Sequence, residues 1–204
     1  MTRPGLPIAL LGLYLAAFVL SGISPHNRAD WWLESVLPLV AVSILAATWH
    51  RFRFSNLAYA AVCVFLLAHT TGAHYTYSEV PLGHLAAELF GWERNHYDRW
   101  IHFLYGFLFA PMAVELFAAK APPRGIWAFL LPTLFLGSHS MIYELIEWWA
   151  AAVFGGDLGV AYLGTQGDPW DAQKDMALGL LGAALGVGVM LGLRRGWCGP
   201  QLAR

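Results

Sequence analysis

The stretch MALGLLGAALGVGVMLGL, residues 176–193, decides the fold because none of its 18 side chains is ionisable. In an α-helix, which rises about 1.5 Å per residue, this stretch would span about 27 Å. The hydrocarbon core of a bilayer is about 30 Å thick, and an uncharged run of this length is typical of a transmembrane helix. Residues 176–193 are therefore predicted to cross a membrane.

Five other apolar stretches of similar length precede this one. The predicted spans are roughly residues 7–24, 32–49, 54–73, 100–118, 126–150 and 176–193. Of the 204 residues, 58% are hydrophobic and only 12% are charged, whereas soluble domains average about 25% charged residues. The connections are too short to fold separately. We therefore expect an all-α membrane protein with about six transmembrane helices in one compact bundle, forming a single polytopic domain over residues 1–204.

The basic residues indicate how the predicted spans are oriented. With six spans both termini lie on one side, together with eight of the twelve lysines and arginines: Arg3, Arg51, Arg53, Lys120, Arg124, Arg194, Arg195 and Arg204. The other side holds Arg28, Arg94, Arg99 and Lys174. By the positive-inside rule we expect both termini in the cytoplasm. The net charge of −1 gives no indication of a nucleic-acid partner.

Two outer loops carry specific expectations. Within the loop 74–98, residues 81–90 are predicted to form a short helix ended by Gly91, with one apolar side. Such a helix is typical of a segment that lies in the membrane interface. The loop 155–167 is rich in glycine and is predicted to be irregular, a lid over the outer face.

Glycines in the last span predict close helix packing. Gly182 with Gly186, and Gly188 with Gly192, form two small-xxx-small pairs. Small residues at this spacing let two membrane helices approach closely. A phosphate-binding role is not indicated, because the G-x-x-x-x-G-K pattern is missing from the sequence.

Acidic and histidine side chains gather at the outer ends of four predicted spans. His69 and His74 end the third, Asp98 and His102 begin the fourth, Glu144 and Glu147 end the fifth, and Asp168, Asp171 and Asp175 begin the sixth. Charged groups cost several kcal/mol to hold at membrane depth, so this cluster is a functional-site hypothesis. Of the two histidines in the third span, His74 is the better candidate because it lies nearer the outer end.

One interpretation of these residues is a metal site. Three of the spans carry a pair of such residues three or four apart, so each of these pairs shares a helix face: Asp98 with His102, Glu144 with Glu147, and Asp171 with Asp175. Helix bundles build metal sites from Glu and His side chains that project inward from facing helices. The candidate ligands are Asp98, His102, Glu144, Glu147, Asp171 and Asp175. Oxygen and imidazole ligands suit a divalent ion of Mg, Mn, Zn or Fe, and no other cofactor is indicated.

A second interpretation is acid/base chemistry or substrate binding without a metal, because paired carboxylates can serve as general acid and base. With or without a metal, the catalytic candidates are Glu147, Asp171 and, as proton carrier, His102. The substrate-binding candidates are His74, Asp98, Arg99, Glu144 and Trp148.

A third interpretation is an ion-pair network that only stabilises the bundle. Asp168 precedes Pro169 and resembles the N-cap of a helix. The two glutamates of the fifth span end a helix, where the macrodipole disfavours negative charge. They need cationic partners, which Arg99 or Lys174 could supply.

The inner halves of the last three spans argue against transport. Residues 103–114, 126–138 and 176–193 contain no ionisable side chain except Tyr105. A transporter or proton path usually needs polar groups near the middle of the membrane. We therefore expect a one-sided pocket open to the outer face.

Four strings in the sequence resemble a known family. They are Gly72-Ala-His-Tyr-Thr-Tyr77, Asn95-His-Tyr-Asp-Arg-Trp-Ile-His-Phe103, Tyr143-Glu-Leu-Ile-Glu-Trp148 and Gly164-Thr-Gln-Gly-Asp-Pro-Trp-Asp-Ala-Gln-Lys-Asp-Met176. Together they resemble the YjdF family of bacterial inner-membrane proteins, over most of the chain. The resemblance implies a location in the inner membrane and does not imply a particular reaction.

A more distant resemblance is to VanZ-like membrane proteins, a group linked to glycopeptide-antibiotic resistance. The order of Asp98-Arg99, His102-Phe103, Glu144 and then Asp171 to Asp175 before a glycine-rich last helix is similar to that group. Glu147 departs from the pattern, because the group's motif at this place is Glu-x-x-Gln.

The sequence thus predicts a multi-pass inner-membrane protein with an outward-facing acidic and histidine pocket. The leading hypothesis is an enzyme, metal-dependent or acid/base, that acts on a lipid or an envelope substrate. The alternative is a non-catalytic binding or accessory protein whose carboxylates form a structural network. The lipid bilayer is the expected environment, and the sequence gives no indication of the oligomeric state.

Overall fold

A computed structural model describes residues 5–197, with side chains up to Leu193, and it is all-helical over that range. The elements are α1 (Gly5–Ser21), α2 (Arg28–Thr48), α3 (Asn56–Tyr75), a 3-10 turn (Tyr77–Glu79), α4 (Pro81–Phe90), α5 (Tyr97–Lys120), α6 (Trp127–Phe154), α7 (Gly156–Leu163) and α8 (Asp171–Trp197). The predicted fold class, a helical membrane protein, is confirmed.

The long helices coincide with the predicted spans. Five of them, α2, α3, α5, α6 and α8, are long and apolar enough to cross a membrane. The sixth, α1, is an apolar helix of 17 residues, which rises about 26 Å and is slightly shorter than the hydrocarbon core. About six transmembrane helices are therefore consistent with the structure.

Local sequence signals set several helix ends. The side chain of Asn27 accepts hydrogen bonds from the backbone N–H of Ala29 and Asp30 and caps α2. Ser55 caps α3 in the same way, because a side-chain oxygen at this position satisfies an amide of the first turn. Gly91, with φ +68°, ends α4 in the left-handed conformation that glycine adopts without strain.

The short helix α4 confirms the helix predicted over residues 81–90, and its position in the membrane interface stays a prediction. Its apolar side chains are exposed: Leu82, Leu85, Leu89 and Phe90. Only Gly83 and Ala86 of this helix are buried. An exposed apolar side of this kind suits a helix that lies on the surface of a bilayer.

The closest helix pair is α5 with α8, and glycines make the approach possible. A Cβ on Gly182 would collide with the carbonyl oxygen of Phe103, and a Cβ on Gly186 would lie 2.6 Å from the carbonyl oxygen of Phe107. The predicted packing role of this pair is confirmed. The same prediction for Gly188 and Gly192 is wrong, because a Cβ at either would meet nothing within 4 Å among the described residues.

The loop 155–167 is not irregular as predicted. It contains α7, which packs against α6 and α2. Gly155 and Gly164, both at positive φ, flank the helix, while Tyr162 in its last turn is buried. The glycines therefore set the ends of a short helix, which covers one end of the bundle.

That end of the bundle collects the polar groups, and we call it the acidic end. The helices alternate in direction, so α2, α5 and α8 begin where α1, α3 and α6 finish. A hydrogen bond of 2.9 Å from the N–H of His26 to the carbonyl oxygen of His74 joins the α1–α2 connection to the end of α3. All the predicted site residues lie at this end.

Candidate functional site

The outermost part of the acidic end is a set of paired charges, the ion-pair layer, formed by Arg94, Arg99, Asp168, Asp171 and Lys174. Arg94 binds Asp171 through both terminal nitrogens, at 2.5 and 3.2 Å. Arg99 contacts Asp168 at 2.5 Å and Asp171 at 3.0 Å, and Lys174 contacts Asp168 at 2.5 Å. The arginines thus join the start of α5 to the start of α8.

Asp168 combines the predicted cap with these ion pairs. Its carboxylate accepts hydrogen bonds from the ammonium group of Lys174, from the backbone N–H of Trp170 and from Arg99. These hydrogen bonds hold the pKa of Asp168 well below its usual value, and the one from Lys174 has the largest effect. The carboxylate is therefore ionised at neutral pH and fixes the start of α8.

The segment that leads into α8 is also held by uncharged hydrogen bonds. The backbone N–H of Asn95 donates to Oε1 of Gln166 at 2.9 Å, and Nε2 of Gln166 donates back to the carbonyl oxygen of Asn95 at 2.9 Å. Arg94 adds a hydrogen bond of 3.2 Å to the carbonyl oxygen of Thr165. The ion-pair layer therefore rests on a fixed backbone.

One turn further into the bundle, four buried or half-buried carboxyl side chains surround a single imidazole. We call this group the His102 cluster: Asp98, His102, Glu144, Glu147 and Asp175. Nε2 of His102 lies 3.5 Å from Asp98 Oδ1 and 3.3 Å from Glu144 Oε1. Potential ligand atoms of Asp98, His102 and Asp175 lie within 4.8 Å of one another, as do those of His102, Glu144 and Glu147.

Negative charge in the His102 cluster exceeds the nearby positive charge. Four carboxyl groups face one imidazole, and the next cation, Nε of Arg99, is 4.0 Å from Asp175. Glu144 Oε1 and Asp175 Oδ1 are buried without a hydrogen-bond partner among the described residues. The 3.3 Å approach of His102 to Glu144 is within ion-pair distance but lacks hydrogen-bond geometry. Buried carboxylates in this state need a proton or a cation.

A second polar group lies beside the His102 cluster and involves α2 and α3. The hydroxyl of Tyr143 donates to Glu34 Oε2 at 3.0 Å, and the ring of Tyr143 packs edge-on against that of His102. His69 Nε2 lies 3.0 Å from the carbonyl oxygen of Glu34, and its Nδ1 contacts the hydroxyl of Tyr77. Glu34, His69 and Tyr77 are buried, and Tyr143 is half-buried.

Sequence reasoning missed the acidic residues of α2. Asp30 and Glu34 are both buried, and neither oxygen of Asp30 has a hydrogen-bond partner among the described residues. The sequence does contain a pattern that predicts them: Asp30 and Glu34 are four residues apart at the start of a span, as are Asp171 and Asp175.

The structure brings some of the predicted site residues together and separates others. Asp98, His102, Glu144, Glu147 and Asp175 converge, whereas Asp171 and Arg99 belong to the ion-pair layer.

Two predicted substrate-binding residues lie apart from the cluster. His74 turns away, with Nδ1 2.7 Å from the carbonyl oxygen of Ser21, so His69 is the histidine of α3 nearest the site. Trp148 is 65% exposed on the surface of α6.

A cavity of about 320 Å³ opens beside the His102 cluster, between α2, α3, α5 and α6. Asp98, His102, His69, Tyr77 and Tyr143 line its polar end. Apolar side chains line most of the rest. The cavity therefore offers a ligand both polar and apolar walls, as small-molecule sites commonly do.

Comparisons with known proteins confirm the family that the four sequence strings indicate. Residues 6–196 match the family described as "Predicted membrane protein (DUF2238)". The chain is 38% identical over 167 residues to "Inner membrane protein YjdF" of Escherichia coli (strain K12), which covers 81% of this chain and 79% of that protein. No solved structure matches. The VanZ-like resemblance stays a prediction. The chain belongs to the DUF2238 family of membrane proteins and is a homologue of an inner membrane protein.

Proposed function

We propose that this protein is a membrane-embedded enzyme in which the His102 cluster holds a divalent cation and acts on a lipid or lipid-linked substrate. The site would face outward from the bacterial inner membrane. The distribution of basic residues supports this orientation, since eight of twelve fall on the side of the termini. The named relative is an inner membrane protein, which supports the location.

The observation that carries the proposal is the shared position of His102 between two sets of ligand atoms. One set adds Asp98 and Asp175, and the other adds Glu144 and Glu147. A carboxylate oxygen in each set is buried and has no partner among the described residues. A divalent cation would neutralise the excess charge, and a set of several carboxylates with one imidazole suits Mg, Mn, Zn or Fe.

Such an ion would supply Lewis-acid chemistry and favour ionisation of a bound water. An ion held by Asp98, His102 and Asp175 would leave Glu147 to take or give protons, because Glu147 is buried and close to both Glu144 and His102. Tyr143, which donates to Glu34 and packs against His102, would position the imidazole and a substrate headgroup.

The alternative of a structural network is favoured for one part of the acidic end. Every charged group of the ion-pair layer has an opposite charge within 3.0 Å. We therefore assign Asp171, a catalytic candidate from the sequence, to positioning Arg94 and Arg99. The His102 cluster is not a network of this kind, because none of its carboxylates has a basic side chain within 3.0 Å among the described residues.

The proposal is tested by incubating the purified protein in nanodiscs with a bacterial envelope lipid extract, with and without divalent metal. Mass spectrometry would follow every lipid class. We expect a metal-dependent loss of one lipid or lipid-linked species. The loss should be abolished by Glu147→Gln and retained by Glu88→Gln, a control at an exposed glutamate of α4. Metal binding without any change in the lipids would contradict the enzymatic proposal.

A further inference from the structure

The cavity beside the His102 cluster extends well below it into the membrane-spanning part of the bundle. Its lining on α5 runs from Asp98 to Phe109, a distance of about 16 Å along the helix axis. At the far end the walls are the side chains of Ile44, Phe65 and Phe109. A cavity with a polar end and a long apolar remainder matches the shape of a lipid, with a headgroup and a hydrocarbon chain.

The cavity is open on one side towards the surroundings of the bundle. Helix α2 packs against α3 and α7 but makes no extended contact with α6. The side chains that line the cavity on either side of this gap are also exposed: Val40 is 49% exposed, Ile44 56% and Ile142 46%. An apolar opening at this depth faces hydrocarbon when the helices cross a bilayer.

The cavity is covered at the acidic end of the bundle. Helix α7 packs on both α2 and α6 and buries Tyr162, so it bridges the gap at that end. The ion-pair layer covers the ends of α5 and α8. A ligand can therefore reach the His102 cluster from the side, below α7.

One polar side chain lies partway along this path. His139 lines the cavity and is exposed in the middle of α6. Its Nδ1 is 2.8 Å from the carbonyl oxygen of Phe135, which leaves Nε2 available. Polar side chains within membrane helices are costly and often mark the path of a substrate. A hydrogen bond to the ester or phosphate oxygen of a lipid would satisfy this imidazole.

We propose that the substrate is a membrane lipid that enters sideways between α2 and α6. One hydrocarbon chain occupies the cavity down to Phe109, and the headgroup reaches His102 and Tyr143. This inference rests on the proposed function and adds the route by which the lipid enters and the place where its chain binds. Both a fatty acyl chain of a phospholipid and the chain of a polyprenyl phosphate have the required chemistry, and the experiment separates them.

The test uses photoactivatable lipids with a diazirine in the chain, one a phospholipid and the other a polyprenyl phosphate, in nanodiscs with the full protein. Peptide mass spectrometry maps the labelled residues. We expect labelling of Phe65 and Tyr105, which line the cavity and are buried or half-buried, beyond the reach of surface lipids. The probe that labels them identifies the source of the chain.

Two variants narrow the path and one serves as a control. Ala41→Trp fills the cavity from α2, and Ile142→Trp narrows the gap from α6; each should reduce interior labelling at least tenfold. Ala47→Trp, at an exposed position of α2 outside the cavity, should leave it unchanged. Absence of interior labelling with both probes in the wild type, or interior labelling at the wild-type level in both blocked variants, would overturn the inference.

The failure of this inference can be told apart from failure of the proposed function. Interior labelling in a protein that binds no divalent metal would support the lipid path and refute the metal site. Metal binding without interior labelling would support the metal site and refute the lipid path. The variant Asp175→Asn should lose the metal and keep the label.

Discussion

At the scale of single residues, the acidic end contains two kinds of carboxylate that the sequence does not distinguish. Asp171 is bound by both nitrogens of Arg94 and by Arg99. Glu144 and Asp175, at a similar level, each keep a buried oxygen without a partner among the described residues. Removing one member of a buried ion pair leaves its partner uncompensated, whereas neutralising an unpaired buried charge relieves a cost.

This difference predicts opposite effects of two isosteric substitutions. Without metal, Asp171→Asn should lower the free energy of unfolding by about 3 kcal/mol, because it breaks the buried pair with Arg94. Glu144→Gln should be neutral or stabilising, because the amide removes a charge and can donate to a neighbouring carboxylate. Unfolding of the detergent-purified protein in the presence of a chelator measures both. An equal loss in the two variants would mean that Glu144 is structural.

The pKa of Asp168 predicts the behaviour of the protein in acid. Its hydrogen bonds from Lys174, Trp170 and Arg99 lower its pKa in the folded state. A carboxyl group of this kind contributes stability above its unfolded pKa of about 4, and the contribution is lost as the pH falls through the lower, folded value. Thermal unfolding between about pH 7 and pH 3 should therefore show a steeper acid loss for the wild type than for Asp168→Asn. Identical pH profiles would assign the acid loss to other groups.

Only part of the site could be predicted at the residue scale. Equal depth and helical spacing were enough to select Asp98, His102, Glu144, Glu147 and Asp175, which do converge. They could not assign Asp171 to the arginines, since ion-pair partners depend on side-chain positions across helices. The sequence favours His74 over His69 because it indicates the depth of each residue and not the direction in which its side chain points.

At the scale of the elements, the seam between α5 and α8 positions three of the five members of the His102 cluster. Asp98 and His102 lie on α5, Asp175 lies on α8, and the glycines of α8 allow their backbones to approach. Any side chain at Gly182 meets the backbone of Phe103. The distances within the set of Asp98, His102 and Asp175 therefore depend on this seam.

The seam predicts different tolerance at two glycines of the same helix. Gly182→Ala should destabilise the protein by about 1–3 kcal/mol, because the added methyl group overpacks a backbone contact. Gly188→Ala should be tolerated or slightly stabilising, because it meets nothing nearby and alanine favours a helix. Thermal unfolding of both variants measures the two effects. Equal stability of the two variants would contradict the close packing of α5 and α8 at Gly182.

The spans could be predicted because length and hydrophobicity determine a transmembrane helix almost alone. Helix α7 could not, because an eight-residue helix has little intrinsic stability and depends on tertiary packing. Its contacts with α2 and α6 supply that packing, and the glycine content of 155–167 concealed it. The same dependence on packing explains why Gly188 and Gly192 were misassigned: spacing does not tell which face of a helix meets a neighbour.

At the scale of the whole molecule, the orientation in the membrane follows from charge alone and stays a prediction. With both cysteines replaced, Glu88→Cys at the acidic end should react with a membrane-impermeant maleimide in intact cells. Lys120→Cys, at the opposite end of α5, should react only after the membrane is permeabilised. The reverse pattern would place the His102 cluster towards the cytoplasm and exclude an outer-leaflet substrate.

The most direct test of a divalent-cation site at the His102 cluster is elemental analysis of the purified full chain. The protein would first be equilibrated with Mg²⁺, Mn²⁺, Zn²⁺ or Fe²⁺. A Glu144→Gln/Asp175→Asn variant and a Glu88→Gln/Glu93→Gln control of equal charge change would be measured beside it. We predict near-stoichiometric metal in the wild type and the control, and its loss from the folded cluster variant. Wild-type protein that holds none of the four ions, or a cluster variant that retains them, would contradict the account.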